Sequence, residues 1–117
     1  MDNQMTISKD EAEFELEVQN RGLNAPRLTP EAIDAMIVGE KYFVDETFVI
    51  CVLTLQNGHK VVGTSRPVSD ANFREDLGRA NARKKAREDI WELAGYGLRL
   101  QLQHAKEVDA LIARGPR

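Results

Sequence analysis

Residues 48 to 55 read Phe-Val-Ile-Cys-Val-Leu-Thr-Leu, apolar at both alternating sets of positions. A run of β-branched and large apolar residues with no polar face predicts a central strand covered on both sides. Tyr42, Phe43 and Val44 before it are also strand-like. Asn57-Gly58 after it is a strong hairpin signal, since a tight two-residue turn calls for positive φ at both central residues. Lys60 to Thr64 is the expected return strand, and Pro67 ends the ladder.

The pattern changes to a step of four beyond that point. Gly78, Ala82, Ala86 and Ile90 share one helical stripe, extended by Leu93 and Ala94. Small residues on a stripe let another backbone come close, as a core face packed on a sheet or helix, or as a subunit interface. Ser69-Asp70 is expected to open this helical region, which runs to about Ala94, where Gly95 and Gly97 weaken it. Leu98 to Ala113 forms a second or continuing helix with Leu98, Leu102 and Ala105 on one side, and Gly115-Pro116 terminates it.

Toward the N-terminus, residues 1 to 7 are polar and read as a frayed end. Ser8-Lys9-Asp10-Glu11 has capping-box spacing and predicts a helix to about Gln19, with Gly22 past its end. A strand competes, because Ala12, Phe14, Leu16 and Val18 alternate with glutamates. Asn24 to Leu28 is a linker. Thr29-Pro30-Glu31 starts a helix with Ile33, Met36 and Ile37 on one face and Gly39 as its stop.

Together these elements predict an α+β fold. A small antiparallel sheet, built on strands 48–55 and 59–65, packs against a long C-terminal helix from about 72 to 94. Helix 30–38 covers another face of the sheet. Residues 1–24 form an N-terminal acidic helix or flexible segment, and 25–117 a single domain.

Charge sharpens the functional picture. The net charge of −3 argues against general nucleic-acid binding, which depends on neutralising phosphates. Its distribution is uneven: Asp10, Glu11, Glu13, Glu15 and Glu17 lie in one stretch, Arg79, Arg83, Lys84, Lys85 and Arg87 in another. A basic face on an acidic chain suits a compact anionic ligand or an acidic partner. The single cysteine excludes an internal disulfide, the first residues lack a signal-peptide pattern, and no apolar stretch approaches membrane-spanning length. A cytoplasmic location is expected.

Arg79, Arg83 and Arg87 step by four along one ridge. They form either an anion site, with guanidiniums gripping phosphates, or a solvated face paired internally as Glu75–Arg79, Lys84–Glu88 and Lys85–Asp89. Phe73, beside Asn72, is a core anchor or, at an interface, a stacking surface for a base. Trp91 and Tyr96 have the same two readings. His59, His104 and Cys51 make no zinc spacing, and no Walker loop, nucleophile elbow or dinucleotide fingerprint occurs. A binding protein without a cofactor is therefore expected rather than an enzyme.

Several short stretches, taken in order, carry a resemblance. They are Gly22-Leu23-Asn24-Ala25-Pro26-Arg27-Leu28-Thr29-Pro30 with Ile33; Cys51 to Gly58; Val62-Gly63-Thr64-Ser65; Asn72-Phe73; Gly78, Ala82 and Ala86; Ile90-Trp91; and Gly95-Tyr96. Over roughly residues 22 to 102 the chain resembles a family of small tailed-phage proteins. It is also similar to the anti-Thoeris sponges, which bind a cyclic ADP-ribose immune signal without cleaving it, and in some cases cyclic oligonucleotides. That resemblance implies dimers and higher oligomers and a pocket lined by arginines, an aromatic and an asparagine. The small-residue stripe and the double-sided strand, which leave more apolar surface than one such domain easily buries, point separately to a symmetric dimer or a hexamer. The candidates are Arg27, Asn72, Phe73, Asn81, Arg83 and Arg99, to which the basic ridge adds Arg79 and Arg87. His59 and Arg66-Pro67 depart from the family pattern, which expects an aromatic and small residues there. The alternatives are an inhibitor docking on a host protein through its acidic N-terminus, a nucleotide hydrolase and, against the net charge, a DNA-binding protein.

Overall fold

The computed structural model describes residues 7–115. Residues 1–6 of the stretch 1 to 7 read as frayed, and the terminating Pro116, lie outside that range. The chain is α+β: among the described residues there are three α-helices and a three-stranded antiparallel sheet in the order β1-β2-β3.

The first helix, α1 (Lys9–Asn20), forms because its capping box closes. The Glu11 N–H donates to Ser8 Oγ at 3.1 Å, and the Ser8 N–H donates back to the Glu11 carboxylate at 3.1 Å. The competing strand loses because two orphan amides are satisfied locally here, while the alternating apolar residues find little to bury against. Phe14 and Leu16 stay 63% and 59% exposed, and Val18 is the buried residue of the helix.

Thr29 caps α2 (Pro30–Met36) through a 3.1 Å bond from the Ala32 N–H, with Pro30 in the first turn. The helix stops before Gly39: Ile37 is already extended and opens β1 (Ile37–Asp45). Gly39 belongs to a bulge in β1, where Ile37 pairs with Leu55 and Gly39 with Thr54. A Cβ at Gly39 would sit 3.3 Å from Thr54 Cβ, a tight contact that explains glycine here better than a helix stop does.

β2 (Phe48–Leu55) lies between β1 and β3 (Lys60–Ser65). The β2–β3 hairpin forms at Asn57-Gly58, but not through a two-residue turn. Gly58 alone takes positive φ (89°). The Gly58 N–H donates to Leu55 O (2.9 Å), Leu55 N–H donates to His59 O (2.8 Å), and His59 N–H donates to Asn57 Oδ1 (3.0 Å). Those bonds describe a three-residue connection ending in a glycine bulge, with the asparagine as a local acceptor.

Val49, Cys51, Leu53 and Leu55 alternate to one face of β2 and are buried. With Val61 and Ile33 they meet the stripe Ala82, Ala86 and Ile90 of α3 (Glu75–Arg114). The small-residue stripe is thus an intramolecular core face. Gly63 in β3 completes it: a Cβ there would collide with the Ala82 carbonyl oxygen and the Ala86 amide nitrogen.

The second face of β2 is not covered as the sequence predicts. α2 lies on the α3 side, with Ile33 inside that core. On the opposite face Phe48, Ile50 and Val52 are half-buried by their neighbours, and Phe43 and Val62 are half-exposed. Both-face hydrophobicity reports apolar surface, not what covers it.

The long helix also differs in extent. Asp70–Asn72 is a 3-10 turn, and α3 begins at Glu75 without a side-chain cap. It then continues through Gly95 and Gly97 for 40 residues. Every residue from Arg99 to Gly115 is exposed, and the molecule measures 71 × 34 × 26 Å because this end projects past the sheet. Among the described residues no helix is long and apolar enough to cross a membrane.

Candidate ligand-binding cleft

Where β3 ends, the chain turns through Arg66 and Pro67 to the 3-10 turn and enters α3. This corner encloses a cleft of about 290 Å³ lined by Ser65, Arg66, Asn72, Phe73, Arg74 and Asn81, among others. The 3-10 turn is tied to the β1–β2 turn by a 3.1 Å bond from Thr47 Oγ1 to Asp70 Oδ1. Phe73 packs against the core, with its ring 3.3 Å from the position a Cβ would take at Gly78. The absence of a side chain at Gly78 makes room for that ring.

The polar groups of the cleft have spare capacity. Asn81 Nδ2 donates to Ser65 Oγ at 2.9 Å, which fixes the amide and leaves its oxygen as an acceptor. Arg74 Nη1 donates to the Phe73 carbonyl at 2.8 Å, and Arg66 lies 5.9 Å from the Phe48 ring centroid. Neither arginine pairs with a carboxylate among the described residues. Asn72, Phe73 and Asn81, three of the residues singled out by sequence, come together here. Arg66 and Arg74, which also line the cleft, are not among the candidates read from the sequence, although Arg66 departs from the family pattern.

The other candidate arginines lie outside this cleft. Arg79 pairs with Glu75 at 2.7 Å and lies 4.9 Å from the Tyr42 ring centroid. Arg83 pairs with Glu40 at 3.0 Å. Arg87, with its side chain 7% exposed, donates to Glu11, to Asp34 at 2.9 Å and to the Pro30 carbonyl at 3.3 Å. The ridge is therefore paired, largely with carboxylates far away in sequence rather than along the helix. Lys84 and Lys85 form no ion pair among the described residues. Arg27 makes a two-pronged contact with Glu15 at 2.6 and 2.7 Å, which lowers the Glu15 pKa and raises its own. Arg99 is exposed on the projecting end of α3.

Burial pushes the Cys51 thiol up, which suits packing rather than nucleophilic attack. Burial and its 2.6 Å bond to Glu40 likewise raise the pKa of the Tyr42 phenol. Burial would raise the Glu40 carboxyl, but the bonds from Tyr42 and Arg83 outweigh it and the net shift is downward. A larger cavity of about 670 Å³ beside Glu40 is walled by Glu31, Asp34 and Glu40 with Arg83 as its cation, so its lining repels an anion. The smaller Phe73 cleft is the better anion acceptor. Among the described residues no group of histidine, cysteine, aspartate and glutamate could hold a metal ion.

Residues 28–102 match the family model described as Phage protein (N4 Gp49/phage Sf6 gene 66). No curated protein and no solved structure matches the chain.

Proposed function

The chain belongs to the N4 Gp49/phage Sf6 gene 66 family of phage proteins, and from that premise we propose that it binds and sequesters a cyclic nucleotide immune signal, a cyclic ADP-ribose isomer foremost, without cleaving it. The supporting observation is the chemistry of the Phe73 cleft: one aromatic side chain, two amides and two arginines that have no carboxylate partner among the described residues. Adenine stacks on an aromatic face, an amide reads its edge, and guanidiniums grip a pyrophosphate. In this reading Phe73 stacks the base, Asn72 and Asn81 meet its edge, and Arg66 and Arg74 take the phosphates.

A cleft of about 290 Å³ is small for a whole dinucleotide. We therefore place the complete pocket between subunits of a homodimer or hexamer. The half-exposed sheet face around Phe43 and Val62 and the projecting end of α3 supply apolar surface for that assembly. The ligand would be met in the host cytoplasm.

Calorimetry with cyclic ADP-ribose isomers and cyclic di- and trinucleotides tests the reading. Submicromolar binding of one of them, with intact ligand recovered after heat denaturation, is expected. No binding tighter than micromolar would remove the sponge reading, and recovery of cleaved ligand would make the protein a hydrolase. A second reading, an inhibitor of a host protein, is favoured by Phe14 and Leu16 standing in solvent on acidic α1. Capture of a host enzyme that is lost on changing both residues to serine supports that alternative.

A further inference from the structure

We infer that α1 plugs a second anion site on α3, with the Glu11 carboxylate occupying the place of a phosphate. This site is separate from the Phe73 cleft and does not rest on the nucleotide reading. At 100° per residue Arg83 points about 200° away from Asn81, so the two sites use opposite flanks of α3.

The plugged site is a cavity of about 410 Å³ with Arg83, Lys84, Arg87 and Trp91 in its lining. One Glu11 oxygen, Oε2, accepts from both Arg87 Nη1 and Trp91 Nε1, the latter at 3.1 Å. A guanidinium and an indole N–H converging on one anionic oxygen would serve equally well for a phosphate. Arg83 and Arg87 are partly neutralised by Glu40 and Asp34, and Glu88 also lines the cavity. Lys84 has no ion pair among the described residues and offsets Glu88, so with Glu11 withdrawn these charges balance and the site offers convergent donors rather than a net positive charge.

α1 is built to be displaced. Among the described residues Val18 is its buried residue, and its side-chain bonds to the rest of the chain are those of Glu11 and Glu15. It also lies outside residues 28–102, the part that matches the family, whereas Arg87 and Trp91 lie inside it. On leaving Arg87, Glu11 keeps a role, because its other oxygen caps Ser8. The ligand class is a small diphosphate, whose charge exceeds that of the carboxylate it replaces. Its apparent affinity is the intrinsic affinity multiplied by the fraction of molecules in which α1 has lifted.

Trp91 is the single tryptophan of the chain and touches the plug, so its fluorescence reads the site directly. Inorganic pyrophosphate is titrated into the full chain, Glu11→Gln and Glu15→Gln. Glu11→Gln should bind about tenfold tighter or more, the scale of one charge-assisted contact. Glu15→Gln, which loosens α1 while leaving the site intact, should shift affinity in the same direction by less. Equal or weaker binding by a folded Glu11→Gln overturns the inference. If circular dichroism shows Glu11→Gln unfolded, Glu15→Gln decides: no tightening there overturns it as well.

Discussion

Gly63 on β3 lies directly against the carbonyl oxygen of Ala82 on α3, with no room for a Cβ between them. The contact sets the spacing between helix and sheet, because Ala82 and Ala86 are themselves fully buried. Gly63→Ala must push α3 off the sheet and open the whole core. A loss of about 3 kcal/mol is expected, read as a lower urea midpoint. A variant as stable as the original would show that α3 does not pack this closely.

Arg87 is buried between Glu11 of α1 and Asp34 of α2, so one guanidinium ties three helices. Arg87→Ala leaves both carboxylates without that cation and should cost about 3–5 kcal/mol. Arg87→Lys keeps the charge but loses the fork, and should fall between the two. Thermal denaturation of the three proteins orders them.

Acid should weaken the fold. The Arg27 hydrogen bond holds Glu15 below its ordinary value of 4.5. Bonds from Tyr42 and Arg83 likewise lower Glu40 from 4.5, against the effect of burial. A carboxyl depressed in the folded state binds fewer protons there than in the unfolded chain. Its stabilisation is complete above the unfolded value and is lost as pH falls through the folded one. Unfolding free energy should therefore decline as pH drops below about 4.5, and Glu40→Gln should flatten part of that slope. A pH-independent urea midpoint between pH 5 and 3 would contradict this.

Much of the fold is legible in local chemistry. Ser8 with Glu11, Thr29 with Pro30, and the step from Gly78 to Ile90 each act within a few residues. Gly39 misleads because a bulge and a helix stop both select glycine, and the choice depends on Thr54 across the sheet. The site is harder to read for the same reason. The spacing of Arg79, Arg83 and Arg87 is visible, yet the carboxylates that meet Arg83 and Arg87 come from Glu40, Asp34 and Glu11. Arg66 and Arg74 reach the cleft only because β3 and the 3-10 turn form a corner.

In the Phe73 cleft, Arg74→Gln and Asn81→Ala should each weaken nucleotide binding by about tenfold, the scale of a lost charge-assisted or buried hydrogen bond. Arg99→Gln, out on the end of α3, changes affinity only if a second subunit brings that arginine to the pocket. Calorimetry on the three variants therefore separates a pocket within one chain from a shared one.

The turn between β1 and β2 carries a mismatch. Glu46 has φ of 56°, a left-handed conformation that costs a β-carbon-bearing residue energy. Asparagine tolerates it better, so Glu46→Asn should raise stability by about 0.5–1 kcal/mol. Differential scanning calorimetry would show the change as a higher melting temperature.

α3 is held by the sheet over its first half and runs through solvent beyond Leu98. Mechanically it is a cantilever with two adjacent weak points, Gly95 and Gly97, at its clamp. The free arm is roughly 25 Å long at 1.5 Å per residue, so a bend of about 10° at the clamp swings the tip by about 4 Å. Small adjustments at Gly95 and Gly97 thus reappear, magnified, at Leu111 and Ile112, and the reach of that arm is set where it leaves the sheet.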